Sequence, residues 1–283
     1  MRNVLVYFSF VRFSHTVFAL PFALAGALLA ARHYPLTWGV VAWVLVAMVG
    51  ARSAAMGFNR LVDRRFDALN PRTANRELPQ GRLSARQAKW FVGVASALFV
   101  YAAWRLNPIC FALSPLALAI VFWYSLAKRY TSWTQLFLAL SMAGAPLGGW
   151  LAVGGRGGWE PWLLAAAIGM WVGGFDILYA CQDLEFDRRH GLHSIPARFG
   201  VPASLAVSRI MHAAAVVFLL ALAWVTPLPV LYFVGVGIVG LLLIYEQSLV
   251  RADDLSQVKR AFDLNGYVGI LYFLVLAASL YGR

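Results

Sequence analysis

Nine long apolar stretches account for most of this 283-residue chain. Several of them continue for about 20 residues without a charge, which is enough for a helix to cross roughly 30 Å of hydrocarbon. Lipid offers the backbone no hydrogen-bond partner, so membrane-spanning segments must be helices or closed barrels. The stretches are continuously apolar rather than alternating, which excludes a barrel. We therefore predict an all-α, polytopic membrane protein with spans at 14–31, 37–58, 88–104, 109–126, 136–153, 161–181, 203–225, 230–249 and 262–280.

The composition excludes a water-soluble fold. Only 13% of the residues are charged, whereas a soluble domain carries roughly 25%. The chain has no linker and no low-complexity segment, so residues 1–283 are expected to form a single transmembrane domain. Cys110 and Cys181 both lie in apolar stretches, and their spacing fits neither a disulfide framework nor a metal site.

The positive charges are concentrated in alternate connections between the stretches. The chain carries a net charge of +12. The connection after the second stretch is rich in arginine, and those after the fourth, sixth and eighth are also basic. The other connections contain only Arg32, Arg105 and Arg156. The positive-inside rule then predicts a cytoplasmic N-terminus and an external C-terminus. We expect a protein of the cytoplasmic (inner) membrane of a prokaryote, with no nucleic-acid or protein partner needed to explain its charge.

Two short runs place acidic residues at helical spacing, each at the cytoplasmic end of a stretch. Asn59, Asp63 and Asp67 are four residues apart, and Asp183 and Asp187 repeat this spacing. Residues four apart lie on one face of a helix, where like charges destabilise it unless a cation lies between them. Mg²⁺ binds through a few carboxylates together with substrate phosphates. The alternative is that the acids pair with neighbouring loop arginines, namely Arg64, Arg65, Arg188 and Arg189.

The two runs also resemble each other. They align on both aspartates and on the intervening Phe66 and Phe186. We therefore predict two related halves, each presenting an acidic pair to a central cavity. Two facing Mg²⁺ sites suit a diphosphate, which has several anionic oxygens to neutralise.

Three motifs extend this pattern over nearly the whole chain. They are Asn59-Arg-x-x-Asp63-x-x-x-Asp67 followed by Arg72-Thr-Ala-Asn-Arg76-x-Leu-Pro-x-Gly81, then Tyr124-Ser-Leu-Ala-Lys128, then Asp176 to Asp187 followed by Gly191-x-x-Ser194-Ile-Pro196. In this order they resemble the signatures of the UbiA superfamily of intramembrane prenyltransferases. The resemblance implies a nine-helix fold with a lateral opening to lipid. It also implies Mg²⁺-dependent loss of diphosphate from a polyprenyl diphosphate donor.

The resemblance assigns roles to individual residues. The Mg²⁺–diphosphate would be held by Asn59, Asp63, Asp67, Asp183 and Asp187. The diphosphate oxygens would be contacted by Arg72, Arg76 and Lys128, with Tyr124 beside Lys128. Metal ions and fixed cations stabilise the negative charge that develops on the leaving group when the C–O bond ionises.

Fewer residues are assigned to binding the acceptor. Arg129 lies in a string that resembles the 4-hydroxybenzoate branch of the family, where this arginine would receive the acceptor carboxylate in a bidentate pair. The alternative is an ordinary arginine of a cytoplasmic loop. Asp176 lies seven residues before Asp183 and deeper in the membrane, so we expect it to orient or deprotonate the acceptor phenol. Arg12 and His15 also resemble the N-terminal segment of the family, and their role is open.

Alternatives remain open for both the acceptor and the reaction class. Arg60 after Asn59 brings the first motif closer to the subgroup that prenylates a dihydroxynaphthoate on a menaquinone route. A 4-hydroxybenzoate acceptor on a ubiquinone route remains equally compatible with Arg129, because both acceptors carry a carboxylate. A haem or chlorophyll branch of the same superfamily is a further alternative. A membrane transporter for an anionic substrate is the alternative of another class, although its acids would lie at the bilayer centre rather than at helix ends.

Overall fold

A computed structural model describes residues 6–7, 9–11 and 16–282 of the chain. Within residues 16–282 the fold is built from nine long helices and one short one, which confirms the prediction of an all-α protein. The helices are α1 (Thr16–Ala30), α2 (Trp38–Leu69), α3 (Ala85–Leu106), α4 (Pro108–Ala127), α5 (Thr134–Ala152), α6 (Glu160–Ala180), α7 (Leu184–Arg189), α8 (Ile195–Val225), α9 (Val230–Leu249) and α10 (Val258–Tyr281).

The helices match the predicted membrane spans in order and position. Seven segments are long and apolar enough to cross a membrane: α2, α4, α5, α6 with its continuation to Arg189, α8, α9 and α10. Helix α1 is apolar but short within the described residues, and α3 carries basic residues near both ends. The protein is therefore a multi-pass membrane protein, in which nine spans were predicted.

Helix α2 is longer than its predicted span, which was placed at 37–58. It continues for three more turns to Leu69 and so includes the first acidic run. Asn70 then adopts an extended conformation, as expected of a residue that precedes a proline. Asn59, Asp63 and Asp67 therefore lie on one regular helix, as the spacing predicted.

The second acidic run differs from this prediction. Helix α6 ends at Ala180, and a 3-10 turn over Cys181–Asp183 separates it from α7. Asp183 and Asp187 thus do not repeat the regular helical geometry of the first run. A 3-10 turn is wound more tightly than an α-helix, so it changes the angle between successive side chains in this segment.

Helices α1 and α5 approach each other closely through glycine. A side chain at Gly26 would overlap the carbonyl oxygen of Pro146, and one at Gly149 would overlap that of Ala23. Small residues allow such backbone contact, which replaces the hydrophobic driving force that lipid cannot supply. The two glycines therefore fix the distance between these helices.

Buried polar side chains join three further helices. Trp171 of α6 donates a hydrogen bond of 2.6 Å to Asn265 of α10, and Asn265 donates one of 2.9 Å to Glu246 of α9. Glu246 and Asn265 are fully buried. Hydrogen bonds between helices stabilise membrane bundles, so this chain of contacts holds the second half of the bundle together.

Candidate active site

A cavity of about 320 Å³ opens at one end of the bundle. We call this the motif end; it is formed where α2, α4 and α6 end and where α3, α5 and α8 begin. The cavity brings together residues from all three sequence motifs, which lie far apart in the chain. Of the predicted site residues, it is lined by Asn59, Asp63, Asp67, Arg72, Arg76, Tyr124, Lys128, Asp176, Asp183 and Asp187.

The first wall of the cavity is the end of α2 and the loop after it. Asn59 donates to Asp63 at 3.2 Å along the helix face. Arg76 donates to Asp67 at 2.7 Å, and the Thr73 hydroxyl donates to the Asp67 carbonyl oxygen at 3.0 Å. The loop is therefore folded back so that its arginine faces the acidic run.

The second wall contains Asp183 and connects it to the same loop. Asp183 accepts hydrogen bonds of 3.2 Å from Asn70 and from the Nε atom of Arg72. Arg72 also donates to the Tyr179 hydroxyl at 3.0 Å. Burial acts against the charged form of Arg72, but Asp183, Tyr179 and Asp67 together outweigh it and raise the pKa of Arg72 above its ordinary value. Asn70 and Tyr179 were not predicted, because only the fold shows which loop meets α6.

The α4–α5 turn supplies two more cations. Lys128 lies 3.4 Å from Asp187 and lines the cavity; its predicted contact with the diphosphate stays a prediction. Arg129 donates to Asp63 at 3.0 Å and to the Val62 carbonyl oxygen at 2.6 Å. Arg129 is not among the residues that line the cavity, so its predicted contact with the acceptor carboxylate stays a prediction.

Each of the four aspartates in the two i, i+4 pairs, Asp63, Asp67, Asp183 and Asp187, therefore has a basic partner. Within the described residues the pairs are Asp63–Arg129, Asp67–Arg76, Asp183–Arg72 and Asp187–Lys128. The alternative pairing with neighbouring loop arginines is wrong, since none of the four aspartates pairs with Arg64, Arg65, Arg188 or Arg189 there.

The acidic residues fit a metal ion that binds together with a phosphate ligand. Asp67 keeps one buried carboxylate oxygen, Oδ2, that forms no hydrogen bond within the described residues. In the same part of the chain, no three acidic, histidine or cysteine side chains lie close enough to hold a metal ion by themselves. Mg²⁺ does not need such a cluster, because it binds through one or two carboxylates and takes its remaining ligands from water and substrate phosphates.

The deeper part of the cavity contains two opposite charges. Arg52 precedes Asn59 by seven residues, and Asp176 precedes Asp183 by seven, so both lie about 10 Å further into the bundle. The Nε atom of Arg52 is buried and forms no hydrogen bond within the described residues. Sequence analysis missed Arg52, although a charge inside an apolar span is itself a signal of function.

Aromatic rings also line the cavity. A cation is attracted to the face of an aromatic ring within about 6 Å of its centre. The guanidinium of Arg72 already lies 5.3 Å from the centre of the Tyr179 ring. The aromatic residues that line the cavity, besides Tyr124, are Phe66, Phe175, Tyr179, Phe186 and Phe262. Arg12 and His15 lie outside the described residues.

Comparison with protein families and relatives gives a single answer. The model of the UbiA prenyltransferase family matches residues 19–276. The 4-hydroxybenzoate octaprenyltransferase of Citrobacter koseri is 31% identical over 244 residues, covering 85% of this chain and 84% of that protein. The protein of the same name from Vibrio vulnificus is 31% identical over 247 residues, covering 86% and 84%.

Solved structures share the fold. The apo structure of a UbiA homolog from Aeropyrum pernix K1 superposes with a TM-score of 0.85 at 38% identity, covering 93% of this chain and 96% of that one. A UbiA homolog from Archaeoglobus fulgidus bound to DMAPP and Mg²⁺ superposes with a TM-score of 0.75 at 19% identity, covering 96% and 99%.

Proposed function

The chain belongs to the UbiA prenyltransferase family, and we propose that it transfers a polyprenyl group from an allylic diphosphate to an aromatic carboxylic acid. The observation that carries this proposal is the cavity at the motif end. It gathers five carboxylates, a cationic layer and aromatic rings from all three motifs in one space. Membership of this family leaves no support for the transporter alternative.

The basic residues bind the diphosphate and stabilise it as it leaves. Arg72, Arg76 and Lys128 come from two loops and converge on the acidic runs. Hydrogen bonds from charged donors to phosphate oxygens are about twice as strong as neutral ones. Fixed donors aimed at developing charge need no reorganisation during the reaction. The three cations therefore lower the barrier to breaking the allylic C–O bond.

Mg²⁺ is the metal that we assign to the two acidic runs. Asn59, Asp63 and Asp67 would hold it on one wall, and Asp183 and Asp187 on the other. When bound, the metal supplies positive charge to the diphosphate oxygens. The UbiA homolog from Archaeoglobus fulgidus is described as bound to DMAPP and Mg²⁺, which supports this assignment.

The prenyl group carries positive charge once the diphosphate leaves, and the cavity holds that charge between aromatic faces. Phe175, Tyr179 and Phe262 line the cavity, and the Phe262 ring centre lies 5.5 Å from that of Phe175 and 4.6 Å from that of Tyr179. Their rings stabilise a cation without donating a nucleophile. The aromatic lining also excludes water, which would otherwise capture the prenyl cation.

The acceptor binds at the deeper level, where different residues contact its phenol and its carboxylate. The Asp176 carboxylate orients the phenol and takes its proton. The carboxylate has two candidate partners. Arg129 is the one predicted from the sequence, but its guanidinium is directed to Asp63 and Val62. Arg52 lines the cavity and has a buried donor available, so the geometry favours Arg52.

Relatives named 4-hydroxybenzoate octaprenyltransferase favour 4-hydroxybenzoate as the acceptor and a ubiquinone route. A dihydroxynaphthoate on a menaquinone route is the second candidate, favoured by Arg60 in the first motif. Basic residues at the motif end favour an active site that faces the cytoplasm of a prokaryotic inner membrane.

Mass spectrometry of the products identifies the acceptor. The purified chain is given a polyprenyl diphosphate with equal amounts of 4-hydroxybenzoate and a dihydroxynaphthoate. We expect prenylated 4-hydroxybenzoate to accumulate first. Predominant prenylation of the dihydroxynaphthoate would instead assign the protein to the menaquinone route. Absence of any prenylated acid would contradict the proposed function.

A further inference from the structure

A second depression lies at the motif end and is separate from the active-site cavity. It is an open groove of about 530 Å³ between the α4–α5 turn and the segment that joins α7 to α8. None of its lining residues also lines the active-site cavity. The reaction described above therefore does not account for it.

The chemistry of the groove is that of an anion site. Arg188, His193 and Arg198 line it together with the hydroxyls of Thr131 and Ser132, and no acidic residue lines it. Within the described residues neither arginine takes part in an ion pair. Arg188 donates to the Ala197 carbonyl oxygen at 2.8 Å, which holds its guanidinium against the start of α8. Arginine and hydroxyl donors in this arrangement suit the oxygens of a phosphate group.

Aromatic side chains place the groove at the level of lipid headgroups. Trp133 and Phe199 are 46% and 44% exposed, and their ring centres lie 5.8 Å apart. The guanidinium of Arg198 lies 5.2 Å from the centre of the Phe199 ring. Tyr130, also in the groove, is 68% exposed. Exposed tryptophan and tyrosine are typical of the membrane–water interface.

An apolar surface continues from the groove into the membrane. Leu136 and Leu140 follow Trp133 by three and seven residues along α5, so the three share one helix face. Leu136 and Leu140 are 39% and 53% exposed. A ligand with a phosphate at the groove and hydrocarbon chains below it would meet complementary surfaces at both ends. An isolated phosphate ion would use only the first.

We propose that this groove binds the headgroup of an anionic phospholipid. Arg188 and Arg198 contact the phosphate, and the acyl chains lie along the face formed by Trp133, Leu136 and Leu140. Basic pockets at this level of a membrane protein bind anionic headgroups. The site also borders the catalytic turn, because the His193 amide donates to the Lys128 carbonyl oxygen at 2.7 Å. The proposal does not depend on the prenyl transfer reaction.

Native mass spectrometry of the purified full chain, titrated with phosphatidylglycerol or phosphatidylcholine, tests this site. We expect the wild type to prefer phosphatidylglycerol. Arg188→Gln with Arg198→Gln should weaken its binding roughly 25-fold, since each basic residue near a membrane surface contributes about fivefold. The matched control is Arg251→Gln with Lys259→Gln, which removes the same charge from exposed positions outside the groove. It should bind phosphatidylglycerol like the wild type.

The single variant Arg198→Gln keeps the hydrogen bond between Arg188 and Ala197, so a loss of binding in it cannot come from loss of that structural contact. It should weaken phosphatidylglycerol binding about fivefold. Equal losses in the control would show general surface charge instead of a site and would overturn the proposal. So would a wild type without preference for phosphatidylglycerol. Displacement of phosphatidylglycerol by inorganic phosphate at similar concentration would assign the groove to a soluble anion, which also overturns it.

Discussion

At the scale of single residues, the active site depends on acid–base pairs, three of which join distant parts of the chain. Arg72 and Arg76 come from the α2–α3 loop, and Lys128 comes from the α4–α5 turn. Their carboxylate partners lie on α2 and on the segment from α6 to α7. Acids and bases thus form one layer at the motif end. A substrate that brings both phosphate and metal finds ligands for each in that layer.

Loss of either acidic run should abolish prenyl transfer. We expect Asp63→Ala and Asp183→Ala each to reduce the rate of diphosphate release at least about a hundredfold, because the Mg²⁺ that neutralises the leaving group would lose a ligand. Activity is measured on purified protein whose thermal unfolding is checked in parallel. Asp253→Ala is the control, since that acid is 76% exposed and pairs with Arg251, and neither residue lines the cavity. Normal activity in either motif variant would refute the assignment of the acidic runs.

Arg52 and Arg129 should have separable effects on the two substrates. We expect Arg52→Gln to raise the apparent KM for the aromatic acid by roughly 30-fold or more. The apparent KM for the prenyl diphosphate should stay unchanged. Arg52→Lys should recover only part of the loss, because an ammonium keeps the charge without the planar fork. Steady-state kinetics with both substrates varied measures this.

Arg129→Ala provides the comparison. If Arg129 receives the acceptor carboxylate, as the sequence predicted, Arg129→Ala will raise the apparent KM for the aromatic acid and Arg52→Gln will not. If Arg129 acts by positioning Asp63, Arg129→Ala will instead change the apparent KM for the prenyl diphosphate and the maximal rate. The geometry favours the second outcome, because Arg129 donates to Asp63 at 3.0 Å.

At the scale of helices, close contact between α1 and α5 limits what the bundle tolerates. We expect Gly149→Ala to lower stability by about 1–3 kcal/mol, since the added carbon would overlap the Ala23 carbonyl oxygen. Gly148→Ala, one residue earlier on α5, meets no atom within 4 Å and should be neutral or slightly stabilising. Thermal unfolding in detergent compares the two. Equal destabilisation would mean that helix contact does not explain the effect.

Much of the helical architecture could be predicted from the apolar stretches alone. The predicted spans overlap the helices in order, although α2 and α8 extend beyond theirs, and the spacing of Asn59, Asp63 and Asp67 correctly placed them on one face of α2. The 3-10 turn before α7 could not be predicted in this way. Its hydrogen bonds are local, whereas the contacts that hold Asp183 come from Asn70 and Arg72, more than a hundred residues away.

The composition of the site was predicted better than its pairing. Ten predicted residues line one cavity, because acids and bases in an apolar chain have few other places to lie. Which base meets which acid depends on how loops from different helices fold over the motif end. Arg52 was not predicted for another reason: it is a single charge inside an apolar span and belongs to none of the motifs at helix ends.

At the scale of the whole molecule, the charge of the loops predicts its orientation. A reporter placed near Gln80 should lie in the cytoplasm, and one fused after Arg283 should lie outside. The Arg-rich α2–α3 loop then faces the side on which water-soluble acceptors are present. Reporter activities in intact cells measure both positions. The opposite pair of locations would place the active site on the other side of the membrane.

The most direct test of the central claim is a coupled measurement of both products. Purified protein receives a polyprenyl diphosphate and 4-hydroxybenzoate, with Mg²⁺ or with a chelator, and diphosphate and prenylated acid are quantified together. We predict one diphosphate released for each prenylated acid, and neither product when the metal is chelated. Diphosphate release without prenylated acid, or full prenyl transfer in the chelator, would contradict the account.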